Sequence, residues 1–178
     1  FPVAEQAYVQ VLAATPAQDA SRAELVENLA ASIYKQGEAA NTAGDYRAAA
    51  NHFLRIKSAA PTSKIRAGAQ YDAGAALMRL QEWKAAAQVL DEFRSDNPTH
   101  ELVKDATKQI ASAFQQAGDL GGAASEYERV ANEATDPALR AEALLLAGKL
   151  HEDSRDTERA LAVYTRYVGD FPKPVGDA

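Results

Sequence analysis

Residues 67–98 read AGAQYDAGAALMRLQEWKAAAQVLDEFRSDNP, and the pattern in this stretch recurs along the chain at one spacing. Gly74 at its centre belongs to the series Gly37, Gly74, Ala111 and Gly148, whose members lie 37 residues apart (74−37, 111−74, 148−111). Ala49, Ala86, Ala123 and Ala160 keep the same step. So do Tyr46, Trp83, Leu120 and Thr157, then Phe53, Leu90, Tyr127 and Tyr164, and finally Pro61, Pro98 and Pro172. A fixed period of this length marks stacked supersecondary units, each packed on its neighbours, in place of one central core.

Inside the stretch, Ala67, Tyr71, Gly74, Leu77 and Met78 have helical spacing, and Trp83, Ala86, Val89, Leu90 and Phe93 repeat it after a short turn. Each unit therefore reads as a helical hairpin. Gly44-Asp45 and Gly118-Asp119 pair a residue suited to a left-handed helix end with an N-cap for the next helix, and Asp156 can cap in the same register. Ser21-Arg22-Ala23-Glu24 fits a capping box, and Asp136-Pro137 offers an N-cap followed by proline at the first helical position. No useful length of chain shows the period-two alternation of a strand. Glycine inside a helix costs about 1 kcal/mol relative to alanine. Its recurrence at Gly37, Gly74 and Gly148 predicts tight helix crossings, with Ala49, Ala86 and Ala160 opposite.

The chain has 178 residues, 47% of them hydrophobic and 25% charged, with a net charge of −6 and no cysteine. This is the composition of a folded protein, and the acidic balance argues against nucleic acid as a general partner. Disulfides and cysteine-bound metals are excluded. No run is apolar enough to span a bilayer, so direct membrane insertion is not expected. Phe1 and Ala4 have the spacing of Tyr46 and Ala49, Tyr8 matches Phe53 and Pro16 matches Pro61. The chain is thus expected to open in mid-repeat, as a fragment of a longer array whose targeting signals would lie elsewhere.

The second unit, with Gly74, Leu77, Trp83, Ala86, Leu90, Phe93 and Pro98, resembles the tetratricopeptide repeat. The resemblance covers nearly the whole chain and implies an all-α fold, a right-handed α-solenoid of antiparallel helical hairpins. Its divisions would be the second helix of an upstream repeat at 1–16 and a linker with the start of an extended helix at 17–29. Repeats follow at 30–66, 67–103, 104–140 and 141–172, and 173–178 is a tail leading to a further repeat. Gln81 and Arg155 replace the turn glycine, and Ala40 and His151 sit where the family has a large residue. The family's usual period is about 34 residues. The roughly three extra residues, as in Pro61-Thr62-Ser63-Lys64-Ile65-Arg66, would lengthen the first helix by nearly a turn. Repeats of that length are similar to those of bacterial envelope proteins, either periplasmic or anchored as outer-membrane lipoproteins; a cytoplasmic location is the alternative.

The resemblance further implies a partner protein or peptide held in a groove lined by the first helix of each hairpin. By register, the groove residues would be Tyr34, Glu38, Asn41, Tyr71, Met78, Lys108, Gln115, Lys149 and Glu152. Tyr34 and Tyr71 form the best anchor pair, although both also fit a structural role against neighbouring helices. Glu38 would repel a peptide carboxylate; Lys108 and Lys149 could receive an acidic peptide, but isolated groove lysines are more often simply solvated. His52, His100 and His151 lie in different units without ligand spacing, and His151-Glu152-Asp153 reads as surface. No phosphate loop, nucleophile elbow or paired-carboxylate site is present, so neither catalysis nor a cofactor is expected. The function so read is an interaction scaffold. Self-association, a spacer role, or service as adaptor to an enzyme domain elsewhere are the alternatives.

Overall fold

The computed structural model of the chain describes residues 1–172 and places nine helices, with no strand, among them. They are α1 (Pro2–Ala14), α2 (Arg22–Thr42), α3 (Tyr46–Ala59), α4 (Arg66–Arg79), α5 (Trp83–Asp96), α6 (Val103–Gln116), α7 (Leu120–Glu133), α8 (Pro137–Asp153) and α9 (Thr157–Asp170). The expected tail at 173–178 lies outside the described residues. Two compact units can be distinguished, Phe1–Val89 and the chain from Leu90 onward. In the first, α1 packs on α2, α2 on α3 and α3 on α4; in the second, α6 packs on α7, α7 on α8 and α8 on α9. Within each unit these helices pack on their sequence neighbours, as in helical hairpins. The interior is thin and alanine-rich: Ala30, Ala49, Ala73 and Ala76 interleave with Leu29, Ile33, Phe53 and Ile56 in the first unit.

The hairpin turns share one device. Gly44, Gln81, Gly118 and Arg155 all have positive φ, at 79°, 59°, 74° and 64°. Beyond each, the next amide reaches back to the last turn of the helix: Asp45 N to Ala40 O, Glu82 N to Leu77 O, Asp119 N to Phe114 O and Asp156 N to His151 O, all at 2.9–3.0 Å. These bonds satisfy carbonyls that the helix end would leave open. Asp45, Asp119 and Asp156 then cap α3, α7 and α9 by accepting from the amides of Ala48, Gly122 and Arg159. Asp136 caps α8 ahead of Pro137 as expected.

Two local expectations need correction. Ser21 stands at the N-cap of α2 without capping it, because its hydroxyl donates to Asp19 Oδ1 at 2.6 Å. The competing turn acceptor, two residues back, takes the group that a capping box would need. The extra residues after Pro61 do not lengthen α4, which begins at Arg66 after a turn. Glu27 of α2 holds that turn open, accepting the Ser63 hydroxyl at 2.7 Å and the Lys64 amide at 2.9 Å. A carboxylate satisfying exposed amides makes the non-helical path favourable.

Gly37 and Gly148 are steric, but the nearest atoms facing them belong to aromatic rings and not to the expected alanines. A Cβ on Gly37 would stand 2.4 Å from Cε1 of Phe53, and one on Gly148 would stand 2.4 Å from Cε1 of Tyr164. The ring sixteen residues downstream (53−37, 164−148) packs against each bare backbone and takes the space a Cβ would need. His151 is likewise not a surface residue. It is 0% exposed, and its Nε2 lies 2.8 Å from Glu128 Oε1 on α7. The register position wants bulk, and the imidazole supplies it while Glu128 satisfies one nitrogen.

Gly37→Ala is therefore expected to lower stability by about 1–3 kcal/mol through overpacking. Gly68→Ala, on α4 with nothing within 4 Å of its Cβ, is expected to leave stability unchanged or raise it by up to about 1 kcal/mol through helix propensity. Urea unfolding of both variants checks the pair, and equal midpoints would refute the steric assignment.

Candidate functional site

In the first unit, the first helices of two successive hairpins, α2 and α4, line an open cleft of about 250 Å³. Tyr34, Glu38 and Asn41 come from α2, spaced at roughly one turn so that they share a face. Asp72, Ala75, Ala76 and Arg79 come from α4, and Phe53 of α3 closes the back. The Tyr34 ring packs on Phe53 with centroids 5.1 Å apart, and its hydroxyl donates to Asp72 Oδ2 at 2.6 Å. Tyr34 thus ties α2 to α4 while forming part of the wall.

Burial raises the Tyr34 hydroxyl well above the usual phenol range, and its bond to Asp72 reinforces the shift. Burial also raises the Asp72 carboxyl above the ordinary aspartate range; the Tyr34 bond opposes this and the nearby charge of Glu38 adds to it. Glu38 pairs with Lys35 at 2.6 Å on the exposed side of α2. Arg79 is drawn to Tyr46, with its guanidinium 5.4 Å from the ring centre.

The nine expected groove residues divide accordingly. Tyr34, Glu38 and Asn41 meet in the cleft. Tyr71 is half-buried on α4 outside its lining, and Met78 packs against the core of the first unit. In the second unit, Lys108 of α6 borders clefts that include Val130 of α7 and Leu139 of α8. Gln115 accepts the Tyr127 hydroxyl at 3.3 Å, and Glu152 accepts that of Tyr164 at 3.2 Å. Lys149 is exposed and, like Glu152, borders neither cleft at Lys108. Sequence reasoning missed Asp72, Arg79 and Phe53 as lining residues. Asp72 lies 38 residues after Tyr34, one step off the period, so register alone points past it to Tyr71.

Two further polar clusters are ties between helices. Glu5 of α1 takes both guanidinium nitrogens of Arg55 at 2.7 Å and the Gln36 amide at 2.6 Å. Burial opposes ionisation of Glu5, but these bonds outweigh it and hold the carboxyl below the usual range. In the second unit, Arg94 reaches Glu126 at 2.6 Å and the Thr107 hydroxyl at 3.2 Å. Among the described residues no group of three or more histidine, cysteine or acidic side chains is placed to hold a metal ion. No described helix is long and apolar enough to cross a membrane.

Residues 26–173 match the family described as YfiO, outer membrane lipoprotein. Among solved structures, the fold is similar to MamA, residues 41 to the end, from Desulfovibrio magneticus RS-1, at TM-score 0.53 and 16% identity, covering 98% of this chain and 97% of that one. It is also similar to the nearly identical TPR-like repeats of a Podosopora anserina putative kinesin light chain, at TM-score 0.52 and 14% identity, covering 93% and 84%. A second MamA structure aligns at TM-score 0.51 and 20% identity over 93% and 85%. At these identities the likeness is one of fold, the tetratricopeptide-repeat solenoid class. No curated protein matches.

The opposite shifts at Asp72 and Glu5 give opposite expectations. A carboxyl raised in the native state binds its proton more tightly than in the unfolded chain, so native stability falls as pH rises through that window. Asp72→Asn removes the cost and is expected to leave neutral-pH stability unchanged or up to about 1 kcal/mol higher, the gain vanishing in acid. Glu5→Gln is expected to lose about 1 kcal/mol at neutral pH, and the loss should shrink as pH falls through the depressed native value. Thermal melts from neutral pH into acid read both signs.

Proposed function

The chain belongs to the YfiO family of outer membrane lipoproteins, and from that premise we propose a non-catalytic scaffold that holds a peptide or partner protein in a bacterial envelope complex. The protein works on the periplasmic side of the outer membrane, and the partner lies against the first helices of the repeats at 30–66 and 67–103. The observation that carries the reading is the cleft between α2 and α4. It presents the half-buried Tyr34 ring and Ala75 beside the carboxylates of Glu38 and Asp72 and the exposed amide of Asn41, a mixture by which proteins recognise side chains of other proteins.

The absence of cysteine makes a clean test possible, since one introduced thiol can carry a photo-crosslinker. Asn41→Cys places it at the cleft, and Ser58→Cys places it on exposed α3 outside the lining. A partner in an envelope extract is expected to crosslink from position 41 and not from position 58. Equal products from both positions would overturn the cleft as the binding surface.

Self-association is favoured by a separate observation. Val3 is 79% exposed on α1, and Leu161 and Val168 are 66% and 64% exposed on α9. Apolar helix faces of this kind gain free energy by pairing. Light scattering is expected to show mass rising with concentration, and a monomer from micromolar to millimolar would sink this second reading.

A further inference from the structure

In the second unit an apolar recess lies open at a place that the first unit fills with its own side chain. Positions two periods apart are equivalent (108−34, 127−53, 146−72), so Lys108 of α6, Tyr127 of α7 and Leu146 of α8 stand where the first unit has Tyr34, Phe53 and Asp72. There the Tyr34 ring packs on Phe53 with centroids 5.1 Å apart, and its hydroxyl finds Asp72. Lys108 supplies no ring. Its side chain is exposed, and a cleft of about 280 Å³ opens between Lys108, Tyr127 and Leu146. Ile56 is fully buried in the first unit, whereas its smaller counterpart Val130 (130−56) is only half-buried and lines this cleft. Leu139 lines it too, and Tyr127, Val130, Leu139 and Leu146 all keep apolar surface uncovered. The Tyr127 hydroxyl donates to Gln115, which holds the ring in place as one wall.

We propose that this recess binds a phenylalanine side chain of a partner segment, seated against Tyr127 as Tyr34 is seated against Phe53. Aromatic rings pair favourably at such separations beyond the apolar area they bury. The first unit thus shows, within the same chain, what kind of group the place accepts. Leu146 in place of Asp72 removes the acceptor that the Tyr34 hydroxyl uses, so the recess selects a ring without a hydroxyl. Lys108 has no acidic partner among the described residues, and its ammonium is available to the face of an incoming ring. Glu142 of α8 lines the same cleft, so the walls carry one charge of each sign and favour neither a cationic nor an anionic side chain. The site belongs to the second unit and stands or falls apart from the cleft between α2 and α4.

The test titrates the isotopically labelled chain with a short peptide blocked at both ends, a single phenylalanine flanked by glycine and serine, and follows amide chemical shifts. Versions with tyrosine, alanine or glutamate in place of the phenylalanine are the controls. The phenylalanine peptide is expected to move the amides of Lys108, Tyr127, Val130 and Leu146 saturably. The tyrosine peptide is expected to bind about threefold more weakly, the scale of a hydroxyl without its acceptor, and the alanine and glutamate peptides not to saturate. Lys108→Tyr puts back the ring of the first unit and is expected to close the recess and abolish saturation. Lys108→Ala is expected to weaken binding about threefold, the scale of one exposed cation–π contact. Lys108 is exposed, so both variants are expected to keep the parent's spectrum away from the recess. Alanine binding as well as phenylalanine, tyrosine binding as tightly, shifts scattered over the chain, or parental affinity in Lys108→Tyr would each overturn the proposal. The crosslinks at positions 41 and 58 read separately. A partner captured from position 41 without phenylalanine binding here sustains the scaffold cleft and defeats this site; phenylalanine binding with equal crosslinks from both positions does the reverse.

Discussion

Two hairpins, one in each unit, depend on an aromatic ring packed against a bare backbone. At Gly37 and Gly148 the helix surface is stripped of its side chain, and Phe53 and Tyr164 approach to distances that any Cβ would forbid. That contact sets how closely the two helices of a hairpin can lie. The alanines around it, Ala49 and Ala50 beside Phe53 and Ala160 beside Tyr164, are small because little depth remains to fill. The ring also shapes the cleft, since Phe53 packs against Tyr34 from behind. Packing inside the hairpin and the form of the cleft outside it therefore share one side chain.

Much of this was legible in the sequence because the period is rigid. A step of 37 residues placed every turn, and at Gly44-Asp45 and Gly118-Asp119 the chemistry agreed with it: glycine where φ is positive, aspartate where the next helix needs a cap. Gln81 and Arg155 depart from glycine and still adopt the same conformation, showing that the backbone bonds of the turn outweigh the local preference of the residue. The reading failed where side chains had a choice of partner. Ser21 had Asp19 within reach as well as its own helix, and the residues after Pro61 had Glu27 from another helix. Neither competition is visible in a linear pattern.

The site was less legible than the fold for a related reason. Register finds equivalent positions, whereas the cleft is made from positions that are not equivalent, Tyr34 on one helix and Asp72 one step beyond its counterpart on another. Periodicity thus selected Tyr71 and passed over its neighbour. His151 shows the same limit in reverse: three consecutive polar letters look solvated, yet its place in the repeat sends it inward to Glu128. Burial is decided by register, and polarity is then accommodated by whatever lies opposite.

Non-equivalence has a bearing on how such a chain finds its correct arrangement. Repeats that are alike in their packing residues could dock in one another's places during folding, exchanging hairpins within a molecule or between molecules. The polar ties are not alike. Arg94, with a side chain 7% exposed, corresponds by register to Lys57, Ala131 and Val168, and Glu126 to His52, Val89 and Val163. A hairpin docked one place out of order would leave Arg94 with only Asp91 of its own helix and without the Glu126 carboxylate of the neighbouring hairpin, at a cost in free energy. Each tie acts as an address that only the proper neighbour can read, guarding a repetitive chain against misassembly.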